Sequence, residues 1–194
     1  MHVAQFVGAV LLLLLTPGPT NTLMMLAGYL GGWRSSTRLI AAEVAGYLVV
    51  ILPITLLAAP LVAAFPDAFR WMKVIAVVWV LFLSWRLWRS SAASGDARQE
   101  VAAWRLFATT VLNPKAPIIA VAVMPQLPFP DVLPWLAGFS GLVVLAANMW
   151  LAAGAFAARG SGRLLAPRTV QKLAATGLLC FAAILAGSSV HAMS

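Results

Sequence analysis

Apolar residues run along this chain in long blocks, not in the alternation of half-buried strands or the narrow stripes of surface helices. Six blocks are long enough to cross roughly 30 Å of hydrocarbon at 1.5 Å per residue: about Val3 to Ala27, Leu39 to Ala64, Trp71 to Leu87, Leu106 to Met124, Val132 to Ala158 and Leu173 to Val190. The connections between them are too short to hold a soluble domain. The pattern predicts an all-α membrane protein, with residues 1–194 forming a single domain of six transmembrane helices. Composition points the same way, because 62% of the residues are apolar and only 9% charged.

Two blocks are interrupted, and the interruptions organise the reading. In the fourth, Leu112-Asn113-Pro114-Lys115-Ala116-Pro117 places two prolines and a charge inside an apolar segment. Proline removes a backbone donor and clashes with the preceding turn, and the residue before it is biased out of the helical region. A lysine in the bilayer costs about 2.5–3.5 kcal/mol on insertion scales. In the first block, Thr16-Pro17-Gly18-Pro19-Thr20-Asn21 likewise cannot continue a regular helix. A helix restarting after Pro19 offers backbone N–H groups and a positive dipole end, which suit a carboxylate or phosphate. Each half of the chain, about 1–90 and 101–194, thus holds three blocks and opens on a broken helix. Three is odd, so the second half enters the membrane from the opposite side, as in inverted repeats that carry a central site at paired breaks.

Charge sets the orientation. Ten basic residues fall in the first, third and fifth connections: Arg34, Arg38, Arg86, Arg89, Arg98, Arg105, Arg159, Arg163, Arg168 and Lys172. The other side has Arg70 and Lys73 with Asp67, and no basic residue from Pro125 to Asp131. The positive-inside rule then places both termini of this multi-pass protein on the non-cytoplasmic side. Trp33, Trp71, Trp85, Trp88, Trp104 and Trp135 near block ends fit interfacial belts, whereas Trp79 and Trp150 lie deeper and read as core packing. The basic residues are dispersed over short loops, which excludes a nucleic-acid surface. Met1-His2-Val3 lacks the basic start of a signal peptide, so the first block is expected to be a retained helix.

Glu43, in the second block, is the one acid expected within the hydrocarbon. Two readings stand: a carboxylate reaching the interface or pairing with Arg38, or one facing the bundle interior to bind an ammonium or carry a proton. Its charge is opposite to that of Lys115, so the two can pair in an empty site; Lys115 can equally be a fixed structural charge. Asn148 in the fifth block reads first as an interhelical hydrogen bond and second as a site residue. Gly138, Gly141, Gly177 and Gly187 are expected to permit close packing, Ser90 to Glu100 to form a polar linker, and Cys180 to be a packed small hydrophobe. The third block, the shortest, reads as scaffold. No nucleophile and base pair, metal-ligand cluster or phosphate loop is legible, so neither enzymatic catalysis, a metal nor a cofactor is expected.

Thr16-Pro17-Gly18-Pro19, Pro66 followed by Lys73 and Trp85, Asn113-Pro114-Lys115 and Pro125-Gln126 together resemble the LysE/RhtB family of bacterial amino-acid exporters, over the whole chain. The resemblance implies export of amino acids such as lysine, arginine, threonine, homoserine or cysteine derivatives, driven by the proton gradient. Family members often carry Gly-Asp in the second helix; here the pair is Gly46-Tyr47, and Glu43 is one turn away on the same face. The expected function is therefore secondary active export of an amino acid. Thr16, Pro17, Gly18, Pro19, Asn21, Glu43, Asn113, Pro114, Lys115 and Asn148 are the expected substrate-binding residues: the helix ends after Pro19 and around Pro114, with Lys115, would hold the carboxylate, and Glu43 and the freed carbonyls the ammonium. Protons are the expected coupling ion, and the resemblance implies the lipid bilayer of the bacterial inner membrane as the surroundings. Monomer and homodimer are both left open, as are an exporter of another small solute or ion and a membrane assembly subunit that transports nothing.

Overall fold

The computed structural model describes residues 2–64, 68–93, 101–125, 127–160 and 167–191, of which the side chains of 57–73, 90–93, 160, 167–168 and 184–191 are not described. Expectations that rest on Pro66, Asp67, Arg70, Trp71, Lys73, Arg98, Gln126, Arg163, Arg168, Gly187 and the linker beyond Ala93 lie outside the described residues or side chains. All regular structure among the described residues is helical.

The first block folds as α1 (Val3–Leu15) and α2 (Pro19–Gly31), inclined at 65° across a break at Thr16 to Gly18. Pro19 starts α2 at the first helical position, where its missing N–H has no carbonyl to serve. Gly32, with φ at +82°, ends α2 in a conformation that side-chain-bearing residues resist. The turn α3 (Trp33–Ser36) leads into α4 (Arg38–Ala64). Helix α5 (Ala68–Ala93) is 26 residues long, so the third element is not short, and the linker expected from Ser90 begins later. The physical reason is that Ser90 to Ala93 are residues a helix tolerates well and that no proline stops it.

The fourth block folds as α6 (Ala103–Val111) and α7 (Lys115–Ile118), the latter running on as a π-helical turn over Ile119–Val123, and the bend between the two parts is 50°. Asn113 and Pro114 break the helix here, whereas Pro117 does not. It falls in the first turn of α7, where backbone N–H groups have no intrahelical acceptor. Two long helices follow, α8 (Leu133–Gly160) and α9 (Pro167–His191). Among the described residues, Trp33–Leu56 and Leu133–Arg159 are each long and apolar enough to cross a membrane, and each bent pair qualifies as one further span.

Helix α5 lies along α9, α2 along α8, and α4 against α6. Two apolar cores result. One gathers Phe6, Val10, Leu14, Ile119, Phe139 and Val143, the other Leu23, Leu26, Leu83, Leu106, Leu151 and Leu178. Each broken helix therefore gives its two pieces to different cores, and the breaks lie where the cores adjoin. Large apolar side chains such as Val78, Leu145 and Phe156 are exposed, as suits helices whose outer surface meets lipid. Cys180 is exposed as well, which corrects its reading as a packed residue. Trp33, Trp85, Trp88 and Trp104 are exposed, with Arg89 over the Trp85 ring at 5.0 Å and Lys172 over Trp88 at 5.8 Å.

A close helix crossing is made by glycines that composition alone did not single out. A Cβ on Gly28 would collide with the Leu151 carbonyl, and one on Gly154 with the Met25 carbonyl, so α2 and α8 meet backbone on backbone. Gly46 on α4 would place a Cβ 2.8 Å from Thr110 Cβ of α6. Gly138, Gly141 and Gly177 have nothing within 4 Å of a Cβ and take no part in close packing. Gly28→Val and Gly154→Val are therefore expected to lower thermal stability in mild detergent by more than the about 1–3 kcal/mol typical of overpacking, with Gly138→Ala unchanged. Equal unfolding temperatures for all three would contradict the crossing.

Candidate functional site

A helix that stops in mid-membrane leaves its last carbonyls without amide partners, and each must find a donor within the protein. At the end of α1 the donors come from side chains. Thr16 Oγ1 folds back to the Leu12 carbonyl at 2.6 Å. Asn21, buried in the first turn of α2, donates through Nδ2 to the carbonyls of Leu14 at 2.7 Å and Thr16 at 2.8 Å. Trp150 of α8 reaches the same Leu14 carbonyl through Nε1 at 3.4 Å. No side chain caps the start of α2 at Gly18.

The second break supplies the remaining donor. Lys115 is 7% exposed and its Nζ donates to the Thr16 carbonyl. A cation at the negative end of α1 is the favourable placement for the helix dipole. Gly18 makes room for it, since a Cβ there would sit 3.0 Å from Lys115 Nζ. Asn113 does two things: its Oδ1 accepts from the Lys115 backbone N–H at 3.1 Å and so opens α7, and its Nδ2 donates to Thr20 Oγ1 at 3.1 Å. Thr110 Oγ1 lies 3.5 Å from Thr20 Oγ1 and donates to the Leu106 carbonyl at 2.9 Å. Thr16, Gly18, Asn21, Asn113 and Lys115 are thus in one place, with Pro17, Pro19 and Pro114 shaping the chain around them.

Glu43 joins them from α4. It is 2% exposed, which removes the reading of a side chain reaching the membrane interface. Its Oε2 has no hydrogen-bond partner, and it lies within Coulombic reach of Lys115 and Tyr47. Gly46, one turn further, abuts Thr110 of α6, which fixes that face of α4 toward the second break. Asn148 is placed elsewhere. Its Oδ1 accepts from Trp33 Nε1 at 2.9 Å and its Nδ2 donates to the Val144 carbonyl at 2.8 Å, an interhelical bond in partly exposed surroundings. Among the described residues no three His, Cys, Asp or Glu side chains gather where a metal ion could be held.

Three polar residues at the junction were not expected to belong to it: Thr20, named only as part of the first break, Thr110, and Trp150, read as core packing. The two threonines are common enough in helices to pass unnoticed, although both stand within four residues of a break. Trp150 carried a signal, because an indole far from an interface needs an acceptor for its N–H. Trp79 shows the same demand, donating to Thr109 Oγ1 at 3.0 Å, so its role is more than filling space.

Comparison with known proteins adds relatives. The chain is 30% identical over 148 residues to the cysteine/O-acetylserine efflux protein of Salmonella typhimurium, covering 75% of this chain and 76% of that protein. It is 27% identical over 134 residues to the protein of the same name from Escherichia coli K12, covering 68% and 69%. No family model matches the chain, and no solved structure matches it.

Asn21→Asp exchanges the only donors its side chain offers, to the buried Leu14 carbonyl and the part-buried Thr16 carbonyl, for acceptors. It is expected to destabilise the protein by at least the about 1–3 kcal/mol of an unsatisfied buried group. Asn148→Asp, in its more exposed setting, is expected to cost less, and thermal unfolding of both variants in detergent checks the order.

Proposed function

This chain belongs to the LysE/RhtB family of amino-acid exporters, and from that premise we propose that it is a proton-coupled secondary transporter carrying an amino acid out of the cytoplasm. The observation that carries the reading is the meeting of the two helix breaks, where Lys115 of one holds the Thr16 carbonyl of the other. A lysine, an uncapped helix start and a bare carboxylate oxygen within one buried junction offer both signs of charge to a zwitterion. Lys115 and the backbone N–H groups beyond Pro19 take the carboxylate. Glu43 and the carbonyls at the end of α1 take the ammonium, with Glu43 also the group to exchange a proton.

The arrangement of helices supports an inverted pair of three-helix halves, with α5 and α9, 26 and 25 residues long, completing six spans. Taken as whole spans, the first (α1 and α2) packs on α8, the fifth; the fourth (α6 and α7) packs on α4, the second; and the third and sixth pack on each other. Exchanging the halves maps this set of contacts onto itself. Transport is then a rocking of one half on the other about the breaks. The ten basic residues orient the first, third and fifth connections to the cytoplasm and both termini away from it. The relatives named for cysteine and O-acetylserine favour a neutral amino acid as the substrate.

Loss of a charge-assisted contact is worth about 1.5–3 kcal/mol, or at least about tenfold in rate. Export of cysteine and other amino acids from loaded cells is expected to fall at least about tenfold in Lys115→Ala and in Glu43→Gln. Near-normal export by both variants, at normal abundance in the membrane, would overturn the site.

A further inference from the structure

A cavity of about 360 Å³ lies between α2, α8 and α9. Pro17 and Asn21 of the first break border it, and Met25, Trp150, Ala174 and Gly177 form much of its wall. A second cavity of about 220 Å³ is lined by Gly28, Tyr29 and Arg159. Tyr29 borders both, so the two are neighbours, and together they lead from Arg159 in a basic connection toward Asn21 at the junction. On the α1 side, apolar side chains pack into a core. Phe6, Val10 and Leu14 of α1 are at most 2% exposed and pack against Ile119 and Phe139.

We propose that the space between α2, α8 and α9 is the cytoplasmic access chamber of this transporter and that its walls select amino acids with uncharged, apolar side chains. The proposal rests on the exporter reading above and deepens it. About 360 Å³ lies within the roughly 300–1,000 Å³ usual for small-molecule sites. Polar groups stand at its ends, Asn21 and Thr22 toward the break and Tyr29 toward Arg159, and the middle is formed by Met25, Leu26, Leu173 and Ala174. An amino acid fits only one way: ammonium and carboxylate toward the break, side chain along the apolar wall. A lysine or glutamate side chain would bring a charge onto that wall without a partner, which burial penalises heavily. Arg159, at the mouth, offers the first attraction for the carboxylate.

Gly177 gives a clean way to test this, because a Cβ there meets nothing within 4 Å. A larger side chain should enter the cavity rather than strain the fold. In proteoliposomes loaded with leucine, methionine and lysine, the wild-type protein is expected to export the first two at least about tenfold faster than lysine. Gly177→Phe is expected to lower that export by a similar factor at unchanged thermal stability. A second measurement separates blocking from folding: Gly177→Cys in a Cys180→Ser background is purified, assembled and only then modified with a bulky maleimide, after which export should stop. Undiminished export after modification, as when the cavity holds only a lipid chain, would overturn the chamber. Equal export of lysine and leucine would overturn its selectivity. Absence of amino-acid export by the wild type would instead bring down the exporter reading itself, and the chamber with it.

Discussion

One contact holds the centre of this protein: the ammonium of Lys115 on the carbonyl of Thr16, across two helix breaks that are 99 residues apart in sequence. Neither break is tolerable alone in a bilayer, since each leaves backbone groups that lipid cannot serve. Brought together, the end of α1 supplies acceptors and the second break supplies a cation. Asn21 and Asn113 complete the exchange, the first serving two carbonyls of its own break and the second bridging to Thr20. The polar junction is thus both a structural requirement and a place that presents charged and polar groups together.

Much of the remaining architecture follows from keeping that junction in place. Gly28 and Gly154 let α2 and α8 approach backbone on backbone, which fixes the first residues of α2 beside Trp150. Gly46 brings α4 against Thr110 and so sets Glu43 at the junction from a third direction. The two apolar cores divide at the breaks, each taking one piece of each broken helix. Such a division suits a hinge, because the pieces on either side are well packed while the link between them is a handful of polar contacts.

The helices, their approximate ends and both breaks were legible in the sequence because long apolar blocks and prolines act locally. Asn113-Pro114 stopped a helix as their chemistry requires, and Pro117 was misjudged only because its place in the first turn of α7 depends on where that helix restarts. Glu43 could be flagged but not placed, since a carboxylate five residues from Arg38 can lie at the interface or in the interior, and only the crossing at Gly46 decides. The packing glycines were illegible for a related reason. Gly138 and Gly154 are alike in sequence, and which of them meets another backbone depends on helix rotation. Asn148 and Trp150, two residues apart on α8, point to different neighbours for the same reason, the one to Trp33 and the other to the Leu14 carbonyl.

The central claim is that the two breaks form one site for a single zwitterion. Its most direct test is a structure of the protein with a transported amino acid bound. The carboxylate should lie within hydrogen-bond distance of Lys115 Nζ, taking the place of the Thr16 carbonyl, with the ammonium toward Glu43. An amino acid bound away from both residues, with Lys115 still on Thr16, would contradict it.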